Sequence, residues 1–103
     1  MSYTVYGVRR LAPRDVAEIV SAKLAADFTL RESSYKGGEY FIHRTADGVE
    51  ISIEKQFSDE EGELSEPDFP EYATFVYVNR GKSEIDRQLN ELDQLHQIRS
   101  EMI

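Results

Sequence analysis

Seven carboxylates crowd into the thirteen residues from Asp59 to Glu71: Asp59, Glu60, Glu61, Glu63, Glu66, Asp68 and Glu71. No Lys or Arg falls between Lys55 and Arg80. The same stretch holds Gly62, Pro67 and Pro70 and the aromatics Phe69 and Tyr72. Dense negative charge of this kind can mimic the phosphates that a basic active site expects. Phe69 and Tyr72 are then candidate anchors, because interface energy concentrates in a few aromatic and charged residues. The candidate partner-binding set is therefore Asp59, Glu60, Glu61, Glu63, Glu66, Asp68, Phe69, Glu71 and Tyr72. The competing interpretation is a solvated loop that keeps the protein soluble. A cation site fits less well. Asp59, Glu61 and Glu63 alternate as calcium ligands do, but the glycine is misplaced for an EF-hand and no bidentate Glu stands at the required offset.

Other chemistry-bearing residues are sparse. His43 sits between Ile42 and Arg44, and His96 stands three residues after Asp93. Two histidines so far apart in sequence do not make a metal site, and a histidine base needs an orienting partner and a nucleophile. The chain has no Gly-x-Ser-x-Gly, His-Glu-x-x-His, P-loop or Gly-x-Gly-x-x-Gly motif. The expectation is a non-enzymatic protein with no metal, no cofactor and no catalytic residues.

Charge and composition narrow the partners. The 103 residues carry twenty acidic and twelve basic side chains, for a net charge of -8. Nucleic-acid binders show a basic patch or stripe, so nucleic acid and anionic membranes are disfavoured. A basic protein is favoured, and this charge would speed its encounter. With no cysteine, disulfides, thiolate metal sites and thiol catalysis are excluded. That fits a reducing cytoplasm. The first residues, Met-Ser-Tyr-Thr-Val-Tyr-Gly-Val-Arg-Arg, place their positive charges after the apolar ones, unlike a signal peptide. Apolar runs are far short of the ~20 residues that span a bilayer. The length sets one domain, 1–103.

The elements that must position these residues can be read from periodicity. Residues 3–8 are β-prone but short. Pro13 precedes a helical stripe of Val16, Ile19, Val20 and Leu24, so 14–26 reads as an amphipathic helix ending at Asp27. Residues 28–33 alternate as a strand. Gly37-Gly38 marks a turn, and 39–45 is a second strand. Tyr35 and Tyr40 flank that glycine turn and would pack across it. Asp47-Gly48 signals a hairpin. Val49, Ile51 and Ile53 alternate with Glu50, Ser52 and Glu54, which predicts a sheet packed on one face and wet on the other. Thr74–Val78 is a fourth strand. Ser83, with Asp86 three residues on, suggests the cap of a last helix over about 84–101, carrying a stripe of Ile85, Leu89, Leu92, either Leu95 or His96, and Met102. The predicted fold class is α+β. A four-stranded antiparallel meander is packed on one face by two helices, in the order α-β-β-β-β-α, with a short N-terminal strand in addition. The other sheet face, around Tyr40, Phe41, His43 and Tyr77, is a second candidate binding surface.

Ser34-Tyr35-Lys36-Gly37-Gly38-Glu39-Tyr40-Phe41, the Asp47-Gly48 hairpin and Glu66-Pro67-Asp68-Phe69-Pro70 carry a family resemblance over about 28–78. The chain resembles the small, acidic, cytoplasmic immunity proteins that bacteria encode beside secreted toxins. The resemblance implies tight binding to one cognate basic toxin domain, such as a nuclease, by covering its active site. It carries over no residue by position. The alternative expectation is a homodimeric regulatory or adaptor domain. A small ligand-binding domain or enzyme using the open sheet face ranks third.

Overall fold

A computed structural model describes residues 2–102 of the chain. Six strands form one sheet: β1 (Ser2–Val8), β2 (Thr29–Ser33), β3 (Gly38–Arg44), β4 (Glu50–Lys55), β5 (Thr74–Gly81) and β6 (His96–Met102). Their order is β2-β3-β4-β5-β1-β6, with every neighbouring pair antiparallel. Two helices, α1 (Pro13–Leu24) and α2 (Ser83–Asn90), complete an α+β architecture.

The central meander follows the residue pattern. Val49, Ile51 and Ile53 are almost fully buried in the main core with Tyr6, Val8, Val76 and Val78, and Val16, Ala17 and Val20 of α1 pack onto them. Pro13 opens α1, and Ala25 closes it in the left-handed conformation with its N–H donated to the Ser21 carbonyl. The β3–β4 hairpin turns at Asp47-Gly48, with Gly48 at a φ of 95°. Thr45 holds that hairpin by accepting the Val49 N–H on its Oγ1 at 3.0 Å.

The sheet is wider than the expected four strands: the short N-terminal strand is an inner strand of it, and β6, where a helix was expected, lies beside that strand. β1 lies between β5 and β6, and Thr4 through Val8 are all buried. Such a strand must find partners along both edges, because unpaired backbone groups in an interior cost about as much as a lost hydrogen bond. β6 supplies the second edge. Consequently the last helix ends at Asn90, not near Glu101, and His96 begins a strand. The helical spacing of Leu89, Leu92 and Leu95 is real burial with a different backbone. Leu92 donates its N–H to the Leu89 carbonyl and Leu95 to that of Leu92, single turns that keep both side chains on the main core.

Asp86 has a second role that local spacing does not reveal. The residue before α2 is Lys82, whose side chain makes no capping bond, so Ser83 is inside the helix. Asp86 instead reaches β1. It accepts the hydroxyls of Ser2 (3.0 Å), Thr4 (3.4 Å) and Tyr6 (2.9 Å). Three alternate positions of one strand are thereby clipped to one carboxylate of α2.

Ile51→Asp should unfold the domain. An unpaired buried charge costs several kcal/mol, against a total stability of about 5–15 kcal/mol. Glu50→Lys should stay folded, since it removes only a surface ion pair with Arg44 (2.8 Å) worth about 1 kcal/mol or less. Far-UV circular dichroism and chemical denaturation of the two variants check this. A folded Ile51→Asp beside an unfolded Glu50→Lys would reverse the assigned register.

Candidate acidic interface

The segment between β4 and β5 is folded, and its organiser is Gln56. The Gln56 side-chain amide donates to the carbonyls of Glu66 (3.2 Å) and Phe69 (3.0 Å). Its carbonyl oxygen accepts the Glu66 N–H (2.7 Å) and the Ser65 hydroxyl (2.9 Å). At the tip, Asp59 Oδ1 accepts the N–H groups of Glu61 and Glu63, each at 2.9 Å, while Gly62 takes a φ of 83°. An Asp accepting backbone N–H groups of this kind fixes a tight turn locally. Ser58 and Leu64 bridge across it.

This fold sorts the nine candidate residues into two groups. Asp59, Glu60, Glu61, Glu63, Asp68 and Glu71 are exposed. Among the described residues, none of these six enters an ion pair. Glu66, Phe69 and Tyr72 turn inward. Tyr72 is 8 % exposed and shares a second small core with Val5 and Phe75, against which Tyr3, Phe69, Tyr77 and Ile98 pack. A Cβ on Gly7 would lie 2.6 Å from the Tyr72 ring, so this ring sits directly on the β1 backbone. Tyr72 is therefore closed inside its own fold, and Phe69 is half-buried beside it.

The sheet face opposite the helices is thus covered over its β1 and β5 half. Pairing register corrects its expected membership as well. Phe41 lies opposite Ile53 and His43 opposite Ile51, so both point to the helix side. Arg14 of α1 stacks over the Phe41 ring at 5.7 Å. Tyr40 and Tyr77 remain on the other face. The Tyr40 ring carries Lys36 at 5.1 Å, and Lys36 also pairs with Glu54 at 2.9 Å. The expected packing of Tyr35 on Tyr40 is absent from the aromatic pairs among the described residues.

Under the covering loop lies a polar cluster. Glu66, whose side chain is 12 % exposed, lies 3.7 Å from the Arg99 guanidinium of β6 and accepts the Tyr77 hydroxyl at 3.4 Å. Burial, then the charges of Glu66 and Glu54, push the Tyr77 phenol well above its ordinary value of 10.0. Burial raises Tyr3 too, against the opposing charge of Arg99. Tyr6 is raised by burial and by its bond to Asp86. These phenols are held neutral.

Beside the acidic tip, a groove of about 680 Å³ opens between it and the 3-10 turn Ser34–Lys36. Tyr35, Phe57, Asp59 and Glu60 are among its lining residues, and Tyr35 is 89 % exposed. On its wall Gly37 takes a φ of 80° against the Phe57 ring, where a Cβ would come within 2.6 Å. Sequence reasoning noticed the double glycine but not Tyr35 as a neighbour of Asp59. The only signal was an aromatic next to a turn, which a packed tyrosine gives equally well.

The histidines stand apart. His43 Nδ1 lies 2.7 Å from the Asp27 carbonyl oxygen, and the His96 ring lies 6.0 Å from that of Tyr72. Among the described residues, no three His, Cys, Asp or Glu side chains converge where they could hold a metal ion. No described helix is long and apolar enough to cross a membrane.

Two outcomes follow for stability. Tyr72→Ala should lower unfolding free energy by about 3–5 kcal/mol, as loss of a large core aromatic does, measured by chemical denaturation. Alkaline pH should also destabilise the fold. An unfolded tyrosine ionises near 10, whereas Tyr6 and Tyr77 stay neutral when folded. The unfolded state therefore holds fewer protons as pH rises past 10, and stability falls there. Denaturation midpoints at about pH 8 and about pH 11 should show the drop, and Tyr77→Phe should lessen it.

Comparison with known proteins found no matching family model, no matching curated protein and no matching solved structure.

Proposed function

We propose that this protein is a protein-binding module that engages a basic partner through the exposed carboxylates of its β4–β5 loop. The observation that supports this is the loop's charge arrangement. Among the described residues, the six exposed carboxylates have no cationic neighbour within ion-pair distance, while Lys23, Lys36, Arg44, Lys82 and Arg87 are matched elsewhere. Like charges held close repel one another, and a scaffold that fixes them raises the attraction felt by a basic surface. Gln56 and Asp59 provide that scaffold, so a partner meets an ordered surface and little ordering entropy is lost on docking.

The inward placement of Tyr72 changes which aromatic could make contact. Tyr35, exposed beside Asp59 and Glu60, takes over as the proposed anchor, since a Lys or Arg can lie on its ring while reaching a carboxylate. Phe69 and Tyr72 act indirectly, by holding the loop against the sheet. Covering the basic active site of a toxin such as a nuclease is the specific form of this reading, supported by the resemblance to immunity proteins and by the charge. In this reading the chain acts without catalysis or cofactor.

The test is salt-dependent association with the partner recovered by affinity capture from the host. The Debye length shrinks from about 10 Å at 0.1 M salt to about 3 Å at 1 M, so the on-rate should fall steeply across that range. Reversing Glu60, Glu61 and Glu63 to Lys should slow association tenfold or more, with the thermal midpoint nearly unchanged. Tyr35→Ala should act mainly on the off-rate. If the triple reversal leaves association and its salt dependence untouched, the loop is only a covering for the sheet.

A further inference from the structure

The sheet ends on one side at β6, which is paired with β1 along one edge and, among the described residues, has no strand on its other. Exposed edges are templates for another strand, and proteins usually blunt them with charge, bulges or covering loops. The two edges here differ in this respect. β2, the opposite edge, carries Arg31 and Glu32 at its middle. A twofold axis normal to the sheet pairs residues of equal parity. On β2, centring it on Arg31 sets two guanidinium groups face to face, and centring it on Glu32 does the same with two carboxylates. Centring it on Leu30 leaves only Thr29 opposite Arg31.

β6 behaves differently under the same operation. Arg99 lies opposite Val5 and Glu101 opposite Tyr3 on β1, so both side chains leave the same face of the sheet. Ser100, between them, is exposed and lies opposite Thr4. An axis through Ser100 places Arg99 of each copy opposite Glu101 of the other, twice by symmetry. Opposite charges directly across an antiparallel pair are favourable, and like charges there are not. Centring on Arg99 would face two guanidinium groups and centring on Glu101 two carboxylates, so the register through Ser100 is the one that pairs the opposite charges. Arg99 is also held in place from within, 3.7 Å from Glu66. The β6 residues His96–Met102 contain one Arg and one Glu, a locally neutral strip on a chain of net charge -8. The strip itself therefore sets no net charge against its copy. The register irregularity of the β1–β6 pairing falls between Val5 and Tyr6, which leaves Arg99–Met102 regular. Met102, 85 % exposed, adds apolar surface beside the axis.

We infer that β6 is a self-association edge: two copies of this chain pair antiparallel through it, in the register centred on Ser100, with reciprocal Arg99–Glu101 contacts. The proposal is independent of the acidic loop and its partner, and each copy keeps its own loop.

The absence of cysteine makes the register directly readable. Opposed residues of an antiparallel pair have Cα atoms about 4.5–5.5 Å apart, inside the range a disulfide bridges. Ser100→Cys should therefore cross-link to its own copy under mild oxidation. Arg31→Cys, on the exposed β2 edge, should not. Light scattering of the unmodified protein should give about twice the 11.9 kDa chain mass. Glu101→Arg turns both charge pairs repulsive and should weaken the dimer about tenfold or more, with an unchanged circular dichroism spectrum as the folding control. A single-chain mass at about millimolar concentration would overturn the proposal. So would cross-linking at position 31 in place of 100, or dimerisation of Glu101→Arg at wild-type affinity.

Discussion

Everything in this fold depends on one strand that meets water on neither face. β1 is buried from Thr4 to Val8, and its alternate residues feed two separate cores. Tyr6 and Val8 join the main core under the helices, while Val5 joins Phe75 and Tyr72 on the other side. A strand buried this way needs a cover for each face and a neighbour on each edge. The helices, the acidic loop, β5 and β6 meet those four requirements. The contact at Gly7 is close, because only a residue without a side chain lets the Tyr72 ring rest on the backbone.

That dependence explains why an acid-rich segment is ordered at all. Fixing seven carboxylates within thirteen residues is opposed by their mutual repulsion. Burying Tyr72 and half-burying Phe69 offsets the repulsion, and Gln56 satisfies the backbone groups that the turn exposes. The loop thus has a structural underside and a charged outer side. The same chain segment completes a core and displays negative charge, so mutations in it divide by the direction in which each side chain points.

Two carboxylates turned inward do comparable work on the two faces. Asp86 collects three hydroxyls from β1, and Glu66 lies between Arg99 and the Tyr77 hydroxyl. Each joins elements distant in sequence: α2 to the first strand, and the loop to β5 and the last strand. A partly buried carboxylate without such partners would be costly, and here each has them. These polar links fix positions that the apolar packing alone would leave free to slide.

The amino-acid pattern by itself determined the helix from Pro13, the hairpin at Asp47-Gly48, the burial of Val49, Ile51 and Ile53, and the acidity of 59–71, but not the burial of Ser52 on the opposite face. Each of these is local: a ring-locked φ, a glycine turn, an alternation of period two, a run of charge. Only the tertiary structure decided that residues 2–8 form an inner strand, that 96–102 are β and not helix, and that Tyr72 is core while Tyr35 is surface. Those outcomes depend on partners nearly the full chain length away. Ser2 pairs with Gly81 and Met102, and Tyr72 rests on Gly7. No window of neighbouring residues contains that information. The spacing of Leu89, Leu92 and Leu95 shows why: burial sets which residues face inward, and a helix or a series of turns can satisfy the same spacing. The edge pairing of β1 chose between them, because a buried strand cannot leave its backbone donors and acceptors unmet.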